Sequence, residues 1–175
     1  GKQIAFVSDR TGAPQIYVMN ADGSGQRRLT FEGSYNTAPA WSPDGRQIAY
    51  VTKRGEDPDR HQNFDLYVVE ARAGATERQL TRFPGSDLDP YWESRPAWSP
   101  DGRRVAYVSF EANRSEIYVQ DLRSGSRKRV SARPGVNGAP TWSPDGKRLA
   151  VSLSRQDGNL DIYTLDLGTQ VLTRL

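Results

Sequence analysis

The sequence predicts an all-β chain of stacked, four-stranded antiparallel blades, and three observations predict it. The stretch Ala40-Trp41-Ser42-Pro43-Asp44-Gly45-Arg46-Gln47-Ile48-Ala49-Tyr50 recurs almost letter for letter at Ala97–Tyr107 and again at Thr141–Val151. A second marker, the tyrosine of an Ile-Tyr-Val type run, stands at Tyr17, Tyr67, Tyr118 and Tyr163. Helical patterning is absent, with no window of sustained i, i+3, i+4 apolar spacing. Strand starts at Ile4, Ile48, Val105 and Leu149 give steps of 44, 57 and 44 residues. A period near 44 with four strands per unit is that of a β-propeller blade.

The elements follow in order, with the strands of each unit labelled A to D. Residues 3–8 are strand B of the first unit. Gly1-Lys2 matches Gly45-Arg46, Gly102-Arg103 and Gly146-Lys147, so this unit is expected to lack strand A. Strand C follows at Gln15–Met19, the Asp22-Gly23 turn marks a hairpin, and strand D runs from Gln26 to Thr30. The units fall roughly at residues 1–37, 38–94, 95–138 and 139–175 and form one domain. Ser-Pro-Asp-Gly reads as a type I turn joining strands A and B, with proline presetting the second position and glycine at the fourth. It places Asp44, Asp101 and Asp145 in structural turns. Strand B is apolar at consecutive positions, as in Ile48-Ala49-Tyr50-Val51, so both faces of each sheet seek burial. Alanine at the second position permits close approach on one side. Trp41, Trp98 and Trp142 then pack between blades, each with on the order of 150–250 Å² to bury.

Composition narrows the functional classes. The net charge of +3 comes from scattered arginines, and only Arg127-Lys128-Arg129 forms a basic cluster. Nucleic-acid binding, which needs a patch or stripe of charge, is not expected. There are no cysteines, which excludes disulfides and thiolate metal sites. No apolar run approaches the roughly 20 residues that cross a bilayer, so no membrane insertion is expected, and the first residues carry no basic-then-apolar export signal.

The 57-residue step reflects two insertions, one within residues 53–64 between strands B and C and one within 83–94 before the next strand A. In a four-stranded meander the B–C and D–A loops emerge at the same end, so both insertions rise from one face. Inserted loops on a rigid scaffold commonly carry binding. The candidate partner-binding residues are Arg10, Tyr35, Arg54, His61, Asp87, Asp89, Tyr91, Trp92, Glu93, Glu111, Asn137 and Arg155, with Trp92 as an aromatic anchor or, alternatively, packing for its own loop. No catalytic residue is expected. His61 is the sole histidine, and neither a Gly-x-Ser-x-Gly elbow nor a phosphate-binding glycine loop is present. No cofactor is expected either. The single metal candidate is a Ca²⁺ site of Asp57, Asp59, Asp87 and Asp89, whose spacing matches no EF-hand; the alternative is solvated loop charge.

The Ala-Trp-Ser-Pro-Asp-Gly-Arg-x-Ile-Ala-Tyr units, with Ser8-Asp9-Arg10-Thr11-Gly12 and Gln15-Ile16-Tyr17-Val18-Met19, resemble the PD40 repeats of the TolB β-propeller family. Leu29–Asn36 and Arg133–Pro140 are similar to the inter-blade loops of that family. The resemblance implies a non-enzymatic, periplasmic scaffold of the Tol–Pal system that binds the peptidoglycan-associated lipoprotein Pal at one end of its channel. Propellers attached to serine peptidases share the repeat, so a substrate-gating propeller is one alternative and a designed or excised propeller without a natural partner is another. The family has six blades, whereas this chain has three full units and one partial unit. Its long insertion is foreign to the family, and the order of its repeats differs. Ring closure with four blades, self-association into a two-chain ring, or an incomplete ring all remain open, with the last two favoured because open sheet edges invite pairing.

Overall fold

The computed structural model describes residues 1–54, 64–82, 95–154 and 158–175. Within them are fifteen strands in four antiparallel sheets. Blade 1 has three strands, β1 (Gln3–Ser8), β2 (Gln15–Asn20) and β3 (Arg27–Arg28). Blade 2 comprises β4 (Tyr35–Trp41), β5 (Gln47–Lys53), β6 (Phe64–Glu70) and β7 (Arg78–Gln79). Blade 3 comprises β8 (Ala97–Trp98), β9 (Arg104–Ser109), β10 (Glu116–Asp121) and β11 (Arg127–Ser131). Blade 4 comprises β12 (Asn137–Trp142), β13 (Arg148–Ser154), β14 (Leu160–Asp166) and β15 (Leu172–Arg174). Each sheet is a simple meander in chain order. The first unit lacks strand A, as the repeat alignment predicts. The second and fourth blades open at Tyr35 and Asn137, ahead of the repeat boundaries at 38 and 139. Strand A starts earlier because it bulges at Ala38 and Ala139. Both alanines take positive φ, 53° and 48°.

The alternation of each B strand builds one junction on each side of the sheet. Ile48 and Tyr50 of β5 pack with Ile16, Val18 and Leu29 of blade 1. Ala49 and Val51, one residue out of phase, pack with Trp98, Val105 and Tyr107 of blade 3. Ala106 and Val108 repeat the pattern against Leu149, Val151 and Leu153 of blade 4. This period-2 division lets one strand serve two cores. Among the described residues no such cluster joins blade 4 to blade 1. Ile162, Val171 and Leu175 of blade 4 are exposed at 55%, 58% and 75%. Within this chain the blades therefore form an open arc.

The tryptophans lie at these junctions. Trp98 donates its indole N–H to the Ala40 carbonyl at 3.0 Å, and Trp142 donates to the Ala97 carbonyl at 2.9 Å. In both pairs the acceptor belongs to strand A of the preceding blade. Trp41 is half-buried against the blade 1–2 cluster.

The Ser-Pro-Asp-Gly turns close through Gly45 N–H to Ser42 O, Gly102 N–H to Ser99 O and Gly146 N–H to Ser143 O, each at 2.9 Å. In the first of them Asp44 accepts from the Ser42 hydroxyl at 2.6 Å and from the Arg46 amide at 3.0 Å. Asp101 and Asp145 repeat this arrangement. Those bonds, the serine hydroxyl first, hold all three carboxyls below their usual range. Asp22, Asp121 and Asp166 in the C–D turns are lowered by equivalent bonds from Ser24, Ser124 and Thr169. A carboxyl with a depressed folded pKa adds stability above its unfolded pKa, near 3.8 for aspartate, and loses it as pH falls through the folded value. Asp65, pushed up by burial, acts in the opposite sense but is alone among these aspartates in doing so. The thermal midpoint is therefore expected to stay level from pH 7 to about 5 and to fall steadily below about 4. A midpoint that rises on acidification to pH 3 would contradict this account.

Candidate protein-binding face

The B–C and D–A loops share one end of the blades, as meander topology requires. Asn36 N–H bonds to the Pro14 carbonyl at 3.0 Å, and Ser34 N–H to the Lys53 carbonyl at 3.1 Å, bringing loops of blades 1 and 2 together. The D–A loops turn through Gly33 and Gly135, with φ of 82° and 83°. A side chain at Gly33 would meet the Thr52 hydroxyl at 2.5 Å, and one at Gly135 would collide with the Ser154 hydroxyl. Only glycine fits these two positions.

Arg10, Arg54 and Glu111 occupy the same place in three successive blades, just past the end of strand B, and the structure uses all three within the blade. Arg10 donates to Gln26 Oε1 at 2.7 Å, and its guanidinium lies 4.7 Å from the Tyr17 ring centroid. Arg54 pairs with Glu77, reaches the Tyr50 hydroxyl at 3.1 Å and lies 4.3 Å from the Tyr67 ring centroid. Glu77 also accepts from the Tyr50 hydroxyl at 2.7 Å. In blade 3 the charges are exchanged. Glu111 pairs with Arg127 at 2.7 Å, and Arg127 covers the Tyr118 ring at 4.4 Å. In every case an arginine caps the strand C tyrosine by cation–π contact. Burial pushes the Glu111 carboxyl up, but hydrogen bonds from Arg127 and Tyr118 outweigh it and leave it below its usual value. Arg54 and Glu111 are mostly enclosed, so they brace the face more than they present themselves on it. Next to the blade 3 pair, fully buried Glu116 accepts from Tyr118 at 3.0 Å and pairs with Arg114 and Arg129.

Asn137 requires a correction as a surface residue. It is fully buried. Its Oδ1 accepts from the Ser131 hydroxyl at 2.6 Å and the Arg133 amide at 3.1 Å, while its Nδ2 donates to the carbonyls of Arg133 and Gly135 at 2.8 and 3.1 Å. Its backbone N–H bonds to the Ser115 hydroxyl at 2.8 Å. With its amide fully engaged, Asn137 locks blade 3 to blade 4 and offers nothing to a docked partner. Asn36 also ties blade 2 to blade 1, its side chain acting through Nδ2 alone, which donates to Gln15 Oε1 at 3.0 Å while its Oδ1 has no partner among the described residues.

Exposed at this end, beside the arginines Arg10, Arg114 and Arg133, are two aromatic residues and an acidic one. Tyr35 is 41% exposed and meets Phe64 edge-on at 5.8 Å between ring centroids. Phe31 is 64% exposed, with the Arg28 guanidinium 5.0 Å from its ring. Glu32 is exposed and pairs with Arg54 at 3.3 Å. Sequence reasoning found Tyr35 but missed Phe31 and Glu32. A large apolar residue beside the loop glycine Gly33 was the signal available. His61, Asp87, Asp89, Tyr91, Trp92, Glu93 and Arg155 lie outside the described residues, as do the Ca²⁺ candidates Asp57 and Asp59. Among the described residues no group of three His, Cys, Asp or Glu is placed to hold a metal. A cleft of about 590 Å³ between Asp44–Gln47 and Glu70–Arg72 is an open groove at the opposite, short-turn end.

The TolB beta propeller domain, a PD40 model, matches residues 1–59 and 94–175, well over half of the chain. The chain belongs to the TolB β-propeller family. It is 43% identical over 140 residues to the Tol-Pal system protein TolB of Thioalkalivibrio sulfidiphilus, covering 78% of this chain and 28% of that protein. It is 58% identical over 93 residues to the protein of the same name from Coxiella burnetii, covering 53% of this chain and 20% of that one. The crystal structure of TolB from Acinetobacter baumannii superposes on 99% of this chain and 41% of its own, with a TM-score of 0.78 and 26% identity. The chain thus spans 20% and 28% of the length of these two curated relatives.

Proposed function

We propose that this chain is a non-catalytic protein-binding propeller segment of the Tol–Pal type, working in the periplasm, and that its loop-bearing end takes the peptidoglycan-associated lipoprotein. The observation carrying this reading is the exposed Phe31, Glu32 and Tyr35 patch on loops held rigid by the arginine–carboxylate braces and by Gly33. Aromatic side chains at the centre of a patch, with charge at the rim, are the usual source of binding energy between proteins. The fold supplies what such a surface needs, loops fixed by a rigid sheet scaffold. The names of the Tol-Pal relatives point to the partner.

The test is calorimetric titration of the chain with purified peptidoglycan-associated lipoprotein. Phe31→Ala and Tyr35→Ala should each weaken binding about tenfold or more, equivalent to about 1.4 kcal/mol, and Trp92→Ala in the insertion should do likewise. Ile162→Ser, on the exposed flank of blade 4, should leave the affinity unchanged. Equal affinities for all four variants would place the interface elsewhere.

A further inference from the structure

The carboxylate of Glu77, immediately before β7, is shared between two blades. Its Oε2 accepts from the Tyr50 hydroxyl at 2.7 Å and pairs with Arg54, both of blade 2. Its Oε1 accepts the backbone N–H of Phe31 at 3.1 Å, from the loop that leaves blade 1. Arg54 in turn pairs with Glu32, the next residue of that loop, at 3.3 Å. The couple thus grips two consecutive loop residues, one by its main chain and one by its side chain. Further along, the Glu32 carbonyl accepts from Asn36 Nδ2 at 3.0 Å and the Gly33 carbonyl from Gln15 Nε2 at 3.2 Å. Phe31 is therefore fixed through its main chain while its ring stands exposed.

Register assigns this grip to one junction. The strand D residues opposite Tyr67, Tyr118 and Tyr163 are Gln79, Arg129 and Arg174. The places two residues earlier are thus Glu77, Arg127 and Leu172. Neither an arginine nor a leucine side chain can accept an N–H from the preceding loop. The loop residues that match Phe31 are Arg82, after Leu80-Thr81, and Ala132, after Val130-Ser131. Carboxylate and aromatic therefore occur together, where blade 1 meets blade 2. A brace needed only for stability works as well with its charges exchanged, as in blade 3.

We infer that Glu77 is a positioning residue for partner binding. Through the Phe31 N–H it sets the exposed ring for a docking protein, and the polarity of the Arg54–Glu77 couple decides which blade junction presents that contact. The inference rests on the loop-bearing end being the binding face. Fixing a contact residue before docking lowers the ordering cost of association. Loss of the grip should therefore weaken binding while the fold persists.

The decisive variant exchanges the couple in the full chain, Arg54→Glu with Glu77→Arg. It rebuilds an ion pair of blade 3 polarity but turns a guanidinium toward the Phe31 N–H and a carboxylate toward Glu32. Its thermal midpoint is expected within about 3 °C of the parent. Its Phe31 amide should exchange hydrogen about tenfold faster or more, with the β5 amides unchanged. Its affinity for the purified peptidoglycan-associated lipoprotein should fall about tenfold. Glu77→Gln, which keeps an oxygen acceptor without the charge, should give about threefold changes in both readouts, and it carries the test if the exchanged couple melts lower. Parent-like exchange at Phe31 in both variants would overturn the positioning role, as would fast exchange with undiminished affinity. Exchange is read without partner, so the two readings fail separately. Full affinity in Phe31→Ala, alongside fast Phe31 exchange in the exchanged couple, would strike the binding face itself and this inference with it.

Discussion

Trp98→Ala is expected to destabilise the chain by about 3–5 kcal/mol, the range for removing a large aromatic side chain from a core. Trp98 fills the junction between blades 2 and 3 against Ala49, Val51 and Leu66, and its indole N–H satisfies the Ala40 carbonyl. For a chain of this size the thermal midpoint should fall by roughly 10 °C, at 2–4 °C per kcal/mol. Blades stacked in an open arc touch only their neighbours, so loss of one junction should also broaden the transition, as in other repeat architectures. Thermal unfolding followed by circular dichroism would show both effects. Trp98→Phe, which keeps most of the packing and loses the hydrogen bond, should cost about 1 kcal/mol. A midpoint within 1 °C of the parent for Trp98→Ala would remove the junction from the account of stability.

Asn137→Ala should be nearly as damaging, at about 2–4 kcal/mol. The substitution leaves the Ser131 hydroxyl, the Arg133 amide and two loop carbonyls without their partner, and buried groups so orphaned cost about 1–3 kcal/mol each before relaxation and water entry. Asn137→Asp keeps the acceptor but replaces the donor with an oxygen facing the Arg133 and Gly135 carbonyls, so it should rescue little at pH 7. Thr141→Ala, exposed on the same strand, is the control and should change stability by less than about 0.5 kcal/mol. Urea unfolding would rank the three. Equal midpoints for Asn137→Ala and Thr141→Ala would refute the role of the lock.

The blades could be read before the structure because repetition fixes them many times over. Three Ser-Pro-Asp-Gly turns, four strand C tyrosines and the apolar B strands all imply the same sheet, including the absence of strand A from blade 1. The inward-facing side of the loops was not legible. Asn137 looks like any polar loop residue, and nothing in Asn-Gly-Ala-Pro tells that its amide turns into the junction, because the bulge at Ala139 sets that direction. Arg10, Arg54 and Glu111 were recognisable as equivalent positions. Their partners Gln26, Glu77 and Arg127, three residues before Leu29, Leu80 and Val130 on strand D, were not. The pairing crosses a whole sheet and shows in sequence only as a complementary exchange of charge.

The reversal of charge between Arg54–Glu77 in blade 2 and Glu111–Arg127 in blade 3 bears on how far such blades are exchangeable parts. Grafting the D strand of blade 3 into blade 2 would set Arg127 in place of Glu77, against Arg54, and produce a guanidinium–guanidinium clash beneath the loop end. Swapping the B–C corner alone would set two carboxylates together. Only the joint transfer preserves the bond, so the two positions must change as a couple. Duplicated blades that look alike along the chain thus carry a private polarity, and recombination between them is tolerated only at breakpoints that keep each couple whole.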